Sequence, residues 1–122
     1  MKILITGVSG FIGFHLAKRL LKKKYNIIGL DNLNNYYDVK LKKSRLNQIL
    51  DDKNFSFIKC DLQSKNLSEK LKKYKFDRII NLAAQAGVRH SFKDPFSYID
   101  SNITGQLNIL EIVKERQIKN FI

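Results

Sequence analysis

Short apolar runs alternate with amphipathic stretches along this chain. Residues 2–6, Lys-Ile-Leu-Ile-Thr, form a continuous and largely β-branched run, the pattern of a strand buried on both faces. Residues 11–24 predict a helix, with Ile12, Leu16 and Leu20 on one stripe. Residues 26–31 predict a second strand, and Asn32-Leu33-Asn34-Asn35 supplies turn chemistry. A helix over residues 39–50 follows through Leu46, Ile49 and Leu50. Then come a strand over 55–61, a short helix over 64–74 and a strand over 77–82. Asp94-Pro95 reads as an N-cap and first helical residue, opening a helix to about residue 116 through Ile99, Ile103, Leu107 and Leu110. Gly105 inside that helix costs about 1 kcal/mol relative to Ala, which predicts a closely packed neighbour. Phe121-Ile122 reads as the opening of a fifth strand.

Strands alternating with helices predict an α/β fold, a Rossmann-type doubly wound parallel sheet with right-handed crossovers. The expected strand order is 3-2-1-4, with the fifth strand only begun. An ending on the first residues of a strand reads as truncation. The 122 residues are sufficient for one domain with a real core.

Composition narrows the function classes. One Cys excludes a disulfide framework, and with only two His it excludes a multi-Cys or Cys/His metal centre. Cys60, in an apolar strand, reads as a small core residue. No apolar run approaches the ~18 residues of a membrane span, and the apolar start is too short for a signal peptide, so the expected location is cytoplasmic. The net charge of +12 suggests nucleic acid as a partner. The lysines, however, alternate with apolar residues at helical spacing, as on a solvated helix face, and Lys outnumbers Arg. No nucleic-acid partner is therefore expected.

The strongest motif is Thr6-Gly7-Val8-Ser9-Gly10-Phe11-Ile12-Gly13, placed between a predicted strand and a predicted helix. Gly7 suits the tight turn, Gly10 lets the backbone approach a pyrophosphate, and Gly13 lets the helix lie close on the first strand. Ser9, Phe11 and Ile12 complete the loop and bring the free N–H groups of the helix N-terminus to the phosphates. The G-x-x-G-x-x-G spacing lacks the Gly-Lys-Ser/Thr ending of a nucleotide triphosphatase loop. Asp31, with Asn32 beside it, ends the second strand, where an acidic residue binds the adenosine ribose and repels a 2′-phosphate, favouring NAD over NADP. A turn-initiating Asp fits the same position. Asp61-Leu62 closes the third strand and suits either an adenine contact or a turn. Leu82, Ala83 and Ala84 end the fourth strand with side chains that let a cofactor cross the sheet edge; plain packing is the other reading.

Together these residues resemble the extended short-chain dehydrogenase/reductases, the NAD-dependent nucleotide-sugar epimerases and dehydratases. The resemblance lies in the glycine loop, in Asp61-Leu62 and in Asn81-x-Ala83-Ala84. The segments Asp31 to Lys42 and Gln85-Ala86-Gly87-Val88-Arg89-His90-Ser91 resemble UDP-glucuronate 4-epimerases in particular. The resemblance implies epimerisation of a UDP-sugar through transient oxidation and re-reduction at C4. It also implies a homodimer built on helices, of which residues 95–116 would form the first, and an active-site role for Asn102. Arg89 and Ser91 follow the fourth strand and are candidate sugar or phosphate contacts; helix packing is the other reading for these two and for Asn102. The family's catalytic Ser/Thr and Tyr-x-x-x-Lys would lie beyond Ile122, so no catalytic residue is assigned in this chain. Tyr36 and Lys40 have that spacing but sit at the adenosine end. The chain is thus expected to be the N-terminal NAD-binding part of such an enzyme, residues 1–122, inactive alone. A dehydratase or reductase of the same family, and a free-standing NAD sensor, remain alternative readings.

Overall fold

The computed structural model describes all 122 residues. Five parallel strands form one sheet: β1 (Lys2–Thr6), β2 (Asn26–Asp31), β3 (Phe55–Lys59), β4 (Arg78–Asn81) and β5 (Asn120–Phe121), in the order β3-β2-β1-β4-β5. The chain moves outward from β1 to β3, then crosses back to lay β4 on the other side of β1. The topological switch point therefore lies between β1 and β4.

Alternation along the strands sorts the core into two layers. Ile3, Ile5 and Ile27 point to one face, where they pack with Phe14, Ala17 and Leu21 of α1 (Phe11–Lys22) and with Leu46 of α2 (Val39–Asn47). Leu4, Ile28, Leu30 and Ile79 point to the other, against Leu67 and Leu71 of α3 (Leu67–Leu71) and Ile109 and Ile112 further on. The parallel doubly wound architecture is the expected one, and Phe121 pairs with Ile79 as the start of a fifth strand should.

Two expected faces are turned. Ile12 is 67% exposed and Leu16 and Leu20 are only half-buried; the buried stripe of α1 is Gly13, Phe14, Ala17 and Leu21. The cause is close approach. A Cβ on Gly13 would stand 2.2 Å from the Gly7 carbonyl oxygen, so the helix lies on its smallest residues rather than its largest. The expected helix over 95–116 is three pieces: α4 (Pro95–Tyr98), a wide π-helical segment (Ile99–Thr104) and α5 (Gly105–Glu115). Its stripe Ile99, Ile103, Leu107 and Leu110 faces outward, while Gly105, Ile109 and Ile112 are buried. Gly105 does have its close neighbour: a Cβ there would lie 2.9 Å from Leu62 Cβ.

Ends differ as well. α2 stops at Asn47 and leaves Leu50 exposed, α3 keeps five of the residues expected, and β3 ends before Cys60. A 3₁₀ turn over Val88–Phe92 has no signal in the pattern.

Gly13→Ala would gain about 1 kcal/mol of helix propensity and incur about 1–3 kcal/mol of overpacking against a backbone atom that cannot rotate away. We expect net destabilisation, read as a lower urea midpoint at unchanged m-value; a midpoint equal to or above that of the unsubstituted chain would refute the packing argument.

Candidate active site

The strand ends and the loops that leave them enclose a cavity of about 230 Å³ over the carboxyl edge of the sheet. It draws its walls from all of the first four strands. Gly7 and Gly10 come from the loop after β1, Leu30 and Asp31 from the end of β2 with Asn32 just past it, Cys60, Asp61 and Leu62 from the loop after β3, and Leu82, Ala83 and Ala84 from the loop after β4. This crevice lies at the switch point, where the loops after β1 and β4 part in opposite directions.

The glycine loop is shaped by its own backbone. Gly7 adopts φ +66°, and a Cβ there would lie 2.9 Å from the Ala83 backbone, so the residue is needed both for the turn and for contact with β4. The Gly10 N–H donates to the Gly7 carbonyl at 3.0 Å, which closes the turn and starts α1. Gly10 caps α1 without any side-chain hydrogen bond, so the first-turn N–H groups stay free, at the positive end of the helix dipole. Ser9 is fully buried, and its hydroxyl oxygen has no hydrogen-bond partner. Such an orphan costs about 1–3 kcal/mol unless a partner arrives.

Thr6 sets the opening between β1 and β4. Its hydroxyl donates to Asn81 Oδ1 and accepts from the N–H groups of Leu82 and Ala83, each at 3.1 Å. One side chain thus satisfies two backbone donors that leave the sheet just past its last paired residues, Thr6 and Asn81.

Asp31 organises the adenosine-side wall expected of a dinucleotide cleft. It is 7% exposed, and each carboxylate oxygen accepts a backbone N–H: Oδ2 from Ser9 at 3.1 Å and Oδ1 from Leu33 at 2.9 Å. The second bond supports Leu33 at φ +56°, a strained conformation for a branched side chain. Asn32 spans to the next strand end, donating to Asp61 Oδ1 at 2.5 Å. Asp31 and Asp61 are therefore turn-forming and cavity-lining at once.

Beyond β2 the loop carries Tyr36 and Tyr37 into the wall, and α2 carries Lys42. Tyr36 crosses to the loop after β4. Its hydroxyl lies where a Cβ on Gly87, at φ +91°, would be only 2.1 Å away, and its ring centroid is 5.0 Å from that of His90. Tyr98 donates to the carbonyls of Ala86, at 3.0 Å, and Gly87. Desolvation, with Tyr36 adding to it, pushes the Tyr98 phenol above the ordinary tyrosine range. Asn102 reads the backbone of Gln85 from the π-helical segment, accepting from its N–H at 2.7 Å and donating to its carbonyl at 3.1 Å.

Some expected site residues fall elsewhere. Ser9 and Gly13 are buried behind the loop, and Phe11 and Ile12 face outward, each 67% exposed. Arg89 is exposed and does not line the cavity, and Ser91 donates its hydroxyl to the Val88 carbonyl at 2.6 Å. Lys40 is exposed and stays out of the cavity that Tyr36 enters, so the two do not form a catalytic pair there. Pattern reading missed Tyr36, Tyr37, Lys42, Gln85 and Ser101 as lining residues.

The family model for GDP-mannose 4,6 dehydratase matches residues 4–122. Protein CapI of Staphylococcus aureus is 50% identical over 123 residues, which cover 100% of this chain and 36% of CapI. The UDP-glucuronate 4-epimerase of Thermodesulfobacterium geofontis is 44% identical over 98% of this chain and 37% of the relative. Among solved structures, the UDP-glucuronic acid 4-epimerase of Bacillus cereus, in complex with UDP-glucuronic acid and NAD, superposes with a TM-score of 0.86 at 36% identity. That match covers 99% of this chain and 38% of the other. The chain thus spans little more than a third of the length of these relatives.

Thr6→Val would leave the Leu82 and Ala83 N–H groups without their acceptor, and we expect a loss of about 1–3 kcal/mol in urea unfolding. Thr6→Ser, which keeps the hydroxyl, should recover most of it; equal losses in both variants would mean that the methyl group, not the hydrogen bonding, holds the strand ends.

Proposed function

This chain belongs to the GDP-mannose 4,6 dehydratase family, and on that premise we propose that it is the NAD-binding part of a nucleotide-sugar 4-epimerase of the UDP-glucuronate 4-epimerase kind. The observation that carries the reading is the combination at the switch point: an uncapped α1 N-terminus opening at Gly10 and the Asp31 carboxylate at the end of β2, both on one cavity, with the unpartnered Ser9 hydroxyl buried behind the loop that joins them. These groups suit a dinucleotide. Free N–H groups donate to a pyrophosphate, Gly10 offers backbone without a Cβ, and Asp31 retains lone pairs for ribose hydroxyls after taking its two N–H bonds.

On this reading Gly7, Ser9, Gly10, Phe11, Ile12, Gly13, Asp31, Asn32, Asp61, Leu62, Leu82, Ala83 and Ala84 make the cofactor site. Phe11, Ile12 and Gly13 contribute through their backbone. Bound NAD supplies reversible hydride acceptance, and this chain's residues hold and orient it. The tyrosine–lysine pair and most sugar contacts would be supplied by further chain, with Arg89 and Ser91 as contacts made from this part. The match to little more than a third of each relative supports that division. A homodimer is supported by the outward apolar stripe Ile99, Ile103, Leu107 and Leu110. A single free cysteine supports a reducing, cytoplasmic setting, and no helix is long and apolar enough to cross a membrane. A dehydratase is the second reading, favoured by the matching family model.

Isothermal titration of NAD into the 122-residue chain should show one-to-one binding, and Gly10→Asp, which sets a negative charge at the phosphate end, should weaken it at least about tenfold, or ~1.4 kcal/mol. Undiminished binding by that variant would sink the assignment. The same chain incubated with NAD and UDP-glucuronate should form no C4 epimer; its appearance would place the catalytic pair within these residues.

A further inference from the structure

We propose that Lys42 is a specificity-determining residue of the cofactor cavity, donating to the adenosine ribose and offsetting the repulsion that Asp31 exerts on a ribose 2′-phosphate. The inference rests on the NAD reading above and concerns which ribose substituents that site accepts.

The argument starts from an ammonium that is hidden without a counter-ion. Lys42 is 5% exposed and lines the cavity with Asp31, Asn34 and Tyr37. Lysine is rarely buried unless paired, because desolvating its charge is costly. Its partners here are neutral. Nζ donates to the Asn34 carbonyl at 2.9 Å and to Asn34 Oδ1 at 2.6 Å, and it sits 4.5 Å from the Tyr37 ring centroid. The one salt bridge in the chain, between Lys72 and Glu69, lies elsewhere and is exposed. Burial holds the Lys42 amine below the ordinary lysine range, Asp31 pulls it back up, and Arg45 pushes it down.

Asp31 forms no ion pair with Lys42 and acts on it through its field alone, while its carboxylate accepts the Ser9 and Leu33 N–H groups and keeps further lone pairs free. A carboxylate and an ammonium that line one cavity and do not touch are suited to a vicinal diol, which donates to the first and accepts from the second. The fold also changes the charge at this end. Asp31 alone would exclude a 2′-phosphate, but Lys42 and Arg45, both on α2, add two positive charges around it. Arg45 is committed to loop geometry, donating to the Ser9 carbonyl at 3.2 Å and to the Tyr37 hydroxyl at 3.0 Å. Lys42 is the cation that reaches the cavity wall.

A bracing role for Lys42 would hold the Asn34–Tyr37 loop and nothing more. It would affect every dinucleotide alike, which gives a clean test. Dissociation constants for NAD and NADP should be measured by titration calorimetry on the unsubstituted chain, Lys42→Met and Lys42→Arg, with circular dichroism confirming the fold. NADP should bind the unsubstituted chain within about a hundredfold of NAD. Lys42→Met should weaken NAD about tenfold and NADP a further tenfold or more, a scale set by hydrogen bonds to charged groups; Lys42→Arg should keep the ratio. A wider gap in the unsubstituted chain, a parallel loss of both ligands in Lys42→Met, or no loss at all would overturn the proposal while leaving NAD binding intact. Failure of the unsubstituted chain to bind either dinucleotide would overturn the proposal and the cofactor reading together. Should Lys42→Met fail to fold, the ratio in the unsubstituted chain and in Lys42→Arg decides.

Discussion

The contact between Gly13 and the Gly7 carbonyl determines the rest of the site. Two stretches of backbone meet where any side chain would collide, 2.2 Å being far inside van der Waals contact for a Cβ. That approach fixes the height of α1 above the sheet and puts Ala17 and Leu21 beneath it. It also sets the uncapped N-terminus at the sheet's carboxyl edge. Gly7, turned to positive φ, meets Ala83 on its other side, so the same loop registers α1 against β1 and β4 together.

Around that contact the polar groups have two uses each. The Thr6 hydroxyl ties off two backbone donors where β1 and β4 separate. Asp31 braces the glycine loop and the strained Leu33 turn with the same carboxylate that faces the cavity. A carboxylate offers about four lone-pair sites, so bracing and ligand binding do not compete. Packing supplies stability on both faces of the sheet, while at its edge short polar side chains replace water as partners for the backbone. The edge is therefore preorganised without being filled.

Much of this was legible in the residues. The strand–helix alternation and glycine spacing predicted the parallel sheet, its order and the place of the cavity, because both patterns reflect local geometry. The turn of α1 was not legible. Ile12, Leu16, Leu20 and Leu21 wrap the helix in apolar residues, and the choice of face is made by glycine and alanine through close approach. Lys42 was hidden for a related reason: a lysine among lysines on a polar helix carries no mark of burial. Tyr36 enters the wall through a contact with Gly87, on the loop after β4, which no periodicity reveals. Arg89 and Ser91 are candidates by their place after the fourth strand, and their setting here follows from the 3₁₀ turn over Val88–Phe92, for which the pattern has no signal.

The π-helical segment between Tyr98 and Gly105 has a consequence for rotational phase. Each residue of an α-helix turns the chain by about 100°. A wider turn lets the two ends of one continuous helix hold different angular settings. Asn102 can address the Gln85 backbone on one side while Gly105 keeps its flat side on Leu62. Neither end has to be strained to suit the other. The segment works as a coupling between two registers, one belonging to the cavity rim and the other to the core. Deleting a single residue there would leave every contact partner in the chain and still bring one of the two surfaces out of alignment.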